Sequence, residues 1–460
     1  MNIQKENNQQ KEWWEKPGFS IQYQIEARPG WLWNRNYDKF NASMMDESGN
    51  LNFNGPFCKM KKWVEFSKKV GVDYHMFETK WHDGICYWDT KYTKWKTPVD
   101  YVKIFSEESK KAGIPILFYY SNIFDHNPDF DDIQPLREIT TSFIAMHNEN
   151  KEMIPELSLN FLKLIWEITK TEIEERKIPY KDKFFYDVKI HDFKYNPEKY
   201  EDYLLKQIIE LIDKYEPDAM WMDWYWNDAS TPLVMDFMEK NYPKTLLIFN
   251  MSIDRRPKYA HYLSGEAHDI ISAWRSGLKY RNKKKTWELV GPAAYAWDLP
   301  VARPDPYEIF RIASIIMASG GKYCFGLPSQ LDGELYPEPA KNVKLFGEWY
   351  KLRRELFTEA TPMKYKGEKV PGIDISDENF GSIGCLHEND NLIHIINLKG
   401  LNKDLILEFS GDQWNTITKV IIEPQKKELE FSKKKDSAIL KINKEDIDPA
   451  DTILRINMNR

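Results

Sequence analysis

The chain has 460 residues, a formal net charge of −6 and a pI near 6.0, so it lacks the basic surplus that a nucleic-acid partner demands. A chain of this length buries a large core and divides into one big and one smaller domain. Aromatic residues reach 14%, a level that suits a ring-stacking ligand such as carbohydrate and equally suits an aromatic barrel core.

Residues 1–20 form a polar N-terminal segment. Its run MNIQKENNQQKEWWEKPGF has no apolar stretch of signal-peptide type, and no part of the chain approaches the ~18 apolar residues of a membrane span. Cys58, Cys86, Cys324 and Cys385 show no metal or redox spacing. These features suggest a reduced, cytoplasmic setting, with export left open.

From about residue 20 to 360, apolar runs alternate with amphipathic ones. The expected strands are IQYQI (21–25), VDYHMF (72–77), IPILFYY (114–120), DAMWMD (218–223), TLLIFN (245–250), HYLSGE (261–266), ISAW (271–274) and KYCFGL (322–327). Between them lie helix-like patterns such as KMKKWVEFSKKVG, VDYVKIFSEESKKAG and DPYEIFRIASIIMASGG, several ending at glycine. About eight strand–helix units predict an α/β fold, a (β/α)8-like TIM barrel over residues 21–361, with functional groups at the C-terminal strand ends. Residues 126–196 exceed what one connection needs and read as an inserted subdomain. From 362 to 460, short strand-like pieces joined by polar turns predict a C-terminal β-sandwich.

Two segments carry the chemistry. In VDYHMFETKWHDGICYWDTKYTKW (72–95) an apolar run ends in Glu78, Thr79, Lys80, His82 and Asp83, among the rings of Trp81, Tyr87, Trp88, Tyr92 and Trp95. Polar groups that hold hydroxyls, beside rings that cover apolar sugar faces, are what a carbohydrate pocket needs. DAMWMDWYWND (218–228) repeats the arrangement and ends a strand on Asp223. A carboxylate there is costly unless it is paired or used. A helix cap, or a partner for Arg255 or Arg256, is the alternative role. The chain has no G-x-S-x-G elbow, H-E-x-x-H or P-loop, and no metal-ligand spacing.

These segments resemble glycoside hydrolase family 29, the α-L-fucosidases. Lys80-Trp81-His82-Asp83-Gly84-Ile85 is similar to the family's KHHDGF and is followed by CYWDTKYTKW. YDKFNA, LFYYS (117–121), DHNPDF (125–130) and DTILRI are similar to further family segments. YEDYLLKQIIELIDKYEPDAMWMD resembles the helix and strand that end in the family's W-F-D-G. Trp81 stands where the family has its first histidine and Trp224 where it has glycine. IQYQIEARPGW occupies the place of the F-x-H-W-G segment.

The resemblance implies a retaining exo-glycosidase that hydrolyses a terminal α-linked fucose, or a similar sugar, from an oligosaccharide or glycoconjugate without a cofactor. Asp223 would be the nucleophile. Glu266, 43 residues on, would be the general acid/base, with Glu288 in KTWELVG as its competitor. His82, Glu78, Tyr120 and Arg255 would contact sugar or nucleophile. Trp221, two residues before Asp223, would form a pocket wall, and Trp81 and Trp88 would offer stacking faces. His126 is left outside the site. A glycosidase with another sugar preference and a non-catalytic carbohydrate-binding homologue remain as alternatives, and a homo-oligomer is left open.

Overall fold

The computed structural model describes residues 13–25, 59–81, 84–122, 125, 127, 197–223, 225, 231–254, 257–283, 285–297, 299–330 and 333–459. The larger, N-terminal part runs β1 (Gly18–Ile25), α1 (Met60–Val70), β2 (Tyr74–Lys80), α2 (Tyr101–Ala112), β3 (Ile116–Ser121), α3 (Pro197–Tyr215), β4 (Ala219–Asp223), α4 (Thr231–Asn241), β5 (Leu246–Phe249), β6 (Tyr262–Glu266), α5 (Ile270–Tyr280) and β7 (Trp287–Pro292). It continues through a hairpin, β8 (Ala294–Ala296) and β9 (Leu299–Ala302), to α6 (Glu308–Ala318), β10 (Lys322–Ser329) and α7 (Pro337–Lys351). Strands β1 to β7 and β10 close into a parallel barrel, with β10 paired to β1 over eight residues.

The strands are apolar on both faces because both are covered. Alternation sends Tyr74, Met76, Leu117, Tyr119, Trp221, Tyr262, Val290 and Cys324 into the barrel. Their neighbours Phe77, Phe118, Tyr120, Met222 and Phe325 face the helices. Each large side chain buried this way contributes roughly 1.5–3 kcal/mol. Gly71 and Gly113 close α1 and α2 in the left-handed conformation that glycine adopts without a Cβ penalty, at φ 77° and 69°.

The N-terminal end of the barrel is plugged. Trp13 and Trp14 pack against the inner cluster, and Nζ of Lys322 donates to the carbonyls of Trp13 (2.7 Å) and Lys16 (2.6 Å). The plug satisfies an ammonium that burial pushes down to about 8.

One expected strand is a helix. ISAW lies in the first turns of α5, started by a capping box in which Asp269 accepts from the Ser272 amide at 2.7 Å. The seventh barrel strand is instead WELVGP, whose Trp287, Leu289 and Val290 are buried. A four-residue apolar run is too short for periodicity to separate strand from helix, and the cap decides. The insertion expected near 126–196 lies outside the described residues apart from Asn127.

Beyond a short helix, Arg354–Thr358, the chain forms a β-sandwich from β11 (Thr361–Pro362), β12 (Ile373–Ile375), β13 (Phe380–His387), β14 (Asp390–Asn397), β15 (Leu405–Ser410), β16 (Ile417–Glu423), β17 (Lys427–Leu429), β18 (Phe431–Lys433), β19 (Ser437–Ile442) and β20 (Asp451–Met458). A six-stranded antiparallel sheet, β11-β13-β14-β20-β16-β17, faces a four-stranded one, β12-β15-β19-β18. Ile393, Ile395 and Leu454 of the larger sheet meet Leu407, Phe409 and Leu440 of the smaller. The other face of the larger sheet sends Ile383, Leu392, Ile396 and Ile453 into the barrel's outer core, beside α6.

Candidate active site

Strand β4 ends on Asp223, which is nearly buried at the C-terminal end of the barrel. Each of its oxygens accepts a hydrogen bond. Tyr119 of β3 donates its hydroxyl to Oδ2 at 2.5 Å, and Asn250, just past β5, donates Nδ2 to Oδ1 at 2.9 Å. Donors aimed at a carboxylate favour its charged form.

The same Asn250 nitrogen donates to Oε1 of Glu266, the last residue of β6, also at 2.9 Å. Twice 2.9 Å bounds the separation, so the two carboxylate oxygens lie no more than 5.8 Å apart. The amide cannot turn over freely, because its Oδ1 accepts from the Met251 backbone N–H at 2.8 Å. Met251 holds that turn at φ 59°.

Oε2 of Glu266 faces Nε2 of His268 at 2.7 Å. Burial pushes the Glu266 carboxyl up, but His268, Asn250 and Trp297 more than offset this, and it lies below the usual glutamate value. His268 moves the other way. Burial pulls it down, the Glu266 carboxylate outweighs burial, and the imidazole is held above its ordinary value. Trp297, in the turn of the β8–β9 hairpin, places its indole N–H 3.2 Å from the same imidazole nitrogen.

Below Asp223 the rings of Trp81, Tyr119 and Trp221 form a stacked column. Trp81 lies on Tyr119 with centroids 5.4 Å apart, and Tyr119 lies on Trp221, also at 5.4 Å. At its foot Trp221 donates its indole N–H to Oε1 of Glu288 at 2.9 Å. Glu288 is fully buried among Tyr74, Tyr262 and Ser264, whose hydroxyls all reach its carboxyl. Burial pushes that carboxyl above the usual glutamate value.

Two carboxylates within 5.8 Å, beside a ring column at a barrel mouth, fit acid/base and nucleophilic work on a sugar. A family profile described as Alpha-L-fucosidase matches residues 5–355. The chain belongs to the α-L-fucosidase family. It is therefore a glycoside hydrolase.

The fold is shared with solved structures. The α-fucosidase of Thermotoga maritima in complex with fucose is 16% identical, with a TM-score of 0.64 over 97% of this chain and 96% of that one. α-L-Fucosidase isoenzyme 1 from Paenibacillus thiaminolyticus is 18% identical, with a TM-score of 0.64 over 99% and 100%. An α-L-fucosidase of Bacteroides thetaiotaomicron, trapped as a covalent intermediate, is 15% identical, with a TM-score of 0.63 over 99% and 96%. Comparison with curated proteins found no match.

The structure brings Asp223 and Glu266 together, with Trp81 and Trp221 in the column beside them. It separates the competitor Glu288, which lies at the foot of the column. Glu78 faces inward but its carboxyl braces β1, accepting from Gln22 Nε2 at 3.2 Å and from the Ile25 amide at 3.4 Å.

Two expectations are corrected. Tyr120 faces outward, donating to Gln207 at 2.6 Å and accepting from Lys80 at 2.8 Å, and its neighbour Tyr119 makes the contact with Asp223. Trp88 is fully buried against α3, where its indole donates to Glu210 at 2.9 Å, so it offers no face to a sugar. His82 and Arg255 lie outside the described residues.

Tyr119, Asn250, His268 and Trp297 were not anticipated. His268 had a signal: two residues after Glu266 in an extended run, it shares its side. Asn250 opens the NMSIDRR segment but is an ordinary turn residue by composition.

Proposed function

We propose that this member of the α-L-fucosidase family hydrolyses α-L-fucosides with retention of configuration, with Asp223 as nucleophile and Glu266 as general acid/base. The observation that carries this is the bridge of Asn250 Nδ2 to both carboxylates, which holds one oxygen of each within 5.8 Å and brings the pair close. Retaining pairs stand about 5–5.5 Å apart, whereas inverting pairs need roughly 6.5–9.5 Å to admit a water.

In the first step an Asp223 oxygen attacks the anomeric carbon. The glycosidic C–O bond breaks, and the leaving oxygen takes a proton from Glu266. In the second step Glu266 takes a proton from water, whose oxygen displaces Asp223 from the same carbon. Tyr119 and Asn250 hold the nucleophile in line throughout. The ring column supports them from below. Capture of the Bacteroides thetaiotaomicron relative as a covalent intermediate supports the two-step route.

The substrate class is a fucosylated oligosaccharide or glycoconjugate. A second reading keeps the chemistry and changes the sugar. Trp81 sets a wide indole on Tyr119 at the position where the family has a histidine, and this favours a sugar face with fewer hydroxyls.

The test is hydrolysis of aryl α-L-fucoside followed by NMR, beside galactoside, rhamnoside, xyloside and arabinoside. The α anomer of fucose should form first. First appearance of the β anomer overturns the retaining assignment, and turnover of another glycoside alone moves the specificity.

A further inference from the structure

We propose that the acid/base of this enzyme is not Glu266 alone but a Glu266–His268 couple holding one shared proton, with His268 a positioning residue that keeps that proton available through neutral pH. The inference rests on the assignment of Glu266 as acid/base and adds to it the group that sets its charge.

The geometry assigns the couple. Glu266 divides its two oxygens between two neighbours. Oε1 accepts from Asn250, which also holds the nucleophile, and Oε2 lies 2.7 Å from His268 Nε2. A carboxyl and an imidazole at that distance share a hydrogen and titrate as a pair.

Trp297 makes both proton positions tolerable. Its indole N–H lies 3.2 Å from Nε2 of His268 and also within reach of the Glu266 carboxylate. When the imidazole carries the proton and gives it to Oε2, the indole serves the carboxylate. When the proton sits on Glu266, Nε2 becomes an acceptor for the indole or for the carboxyl hydrogen. The indole donates to whichever group has room, so its N–H keeps a partner in either arrangement.

The couple is built into the fold. The carbonyl of His268 accepts from Arg303 Nη2 at 2.7 Å, and Arg303 is anchored to Glu308 at 2.5 Å. Trp297 lies over Gly326 so closely that a Cβ there would stand 2.0 Å from the ring. The charged groups facing the imidazole are Glu266 and Asp269, which hold its proton on, and Arg303, which opposes them. Asp223 faces Glu266 across Asn250.

The proton balance is simple. The singly protonated couple gives its proton to the leaving oxygen as Asp223 bonds to carbon. It regains one from water in the second step. A lone glutamate must hold the proton at its own carboxyl value, whereas the couple holds it until the raised imidazole lets go. The alkaline limb of kcat/KM is therefore an imidazole limb.

The test is the pH profile of kcat/KM for His268→Gln with an aryl fucoside whose leaving group needs protonation. Glutamine keeps a hydrogen-bond donor and removes the titration. The alkaline limb should move acidward by about one pH unit or more, so kcat/KM falls roughly tenfold near pH 7.5 and under about threefold near pH 5. With a dinitrophenyl leaving group the difference should vanish. An unmoved limb, or an equal loss at every pH, overturns the proposal.

A readout free of that variant's folding is the ¹⁵N titration of His268 in the wild type and in Glu266→Gln. The imidazole pKa should drop when the carboxylate is removed, and no drop refutes the couple. Failure of the underlying assignment looks different. If Glu266→Ala loses no more activity on poor leaving groups than on activated ones, Glu266 is not the acid/base, whatever His268 does.

Discussion

Two carboxyl sites of the barrel, a half-buried one at its mouth and a fully buried one at its floor, are tuned in opposite directions. At the mouth, donors from Tyr119, Asn250 and His268 converge on Asp223 and Glu266, and Glu266 is pulled below the usual glutamate value despite burial. At the floor, Glu288 collects Tyr74, Trp221, Tyr262 and Ser264, yet burial wins and its carboxyl is pushed up. Both sites are rich in hydrogen bonds. The sites differ in exposure and in charge: the Glu266 side chain is 29% exposed and an imidazole stands against it, whereas Glu288 is fully buried among hydroxyls and an indole, with the Lys322 ammonium a smaller influence. Neutral donors orient a buried carboxyl. A cation keeps it ionised.

The sharpest break between the two sites is in activity. Asp223→Ala should lower kcat/KM on the order of a thousandfold or more, about 4 kcal/mol of barrier, with no fall in denaturation midpoint. A midpoint that falls instead would make Asp223 structural. Next comes the ring column. Tyr119→Phe keeps the stack and removes the donor to the nucleophile. Its kcat/KM should fall about ten- to a hundredfold, the range expected for a hydrogen bond to a charged group. Tyr120→Phe, one residue on and facing outward, should cost under about threefold. Equal effects from the two would mean that the hydroxyl of Tyr119 does nothing for Asp223.

The floor should respond the other way. Glu288→Leu strands the hydroxyl of Tyr74 and the indole of Trp221, at about 1–3 kcal/mol each. Urea unfolding should therefore show a clear loss of stability, while kcat/KM falls less than about tenfold. A loss of activity as deep as that of Asp223→Ala, with stability unchanged, would return Glu288 to the list of catalytic groups.

The smallest expected effect concerns pH and stability, and its sign differs between the sites. Glu266 has a folded value below its unfolded one, so its contribution is present above the unfolded value near 4.5 and is lost as pH falls through the folded value. Glu288 has a folded value above its unfolded one. Its contribution is full below 4.5 and is lost as pH rises through the folded value. Stability relative to wild type should rise for Glu288→Gln as pH climbs above about 4.5, and should fall for Glu266→Gln as pH climbs toward 4.5 from below. Parallel curves would mean that neither carboxyl is shifted.

The barrel was legible because its strands are continuous apolar runs between capped helices, and because Asp223 and Glu266 each end such a run. The choice between Tyr119 and Tyr120 was not legible. LFYYS offers two tyrosines in a row, and only the register of β3 against β4, with Tyr119 beside Trp221 and Ser121 beside Asp223, decides which points inward. Strand β2 shows the same difficulty. An irregularity between Glu78 and Lys80 turns Lys80 out to Asp125 and Tyr120 while Glu78 stays in, although simple alternation puts both on one side. Trp88 misled because an aromatic beside a polar cluster has the same composition whether it meets sugar or a helix. Asn250 acts through its position between two carboxylates from different strands, which no local pattern encodes.

Lys322 ties together parts of the chain that are made far apart in time. Its ammonium sits on the carbonyls of Trp13 and Lys16, and its strand pairs with β1, which begins at Gly18. During synthesis the two tryptophans emerge before all the parts of their seat: Tyr74 of β2 and Tyr262 of β6 supply neighbouring rings, and β10 brings the Lys322 ammonium roughly 300 residues after Trp13. Ring closure thus completes the seating of the plug. Protease protection around Trp13 and Trp14 should become complete only in ribosome-bound chains long enough to expose β10.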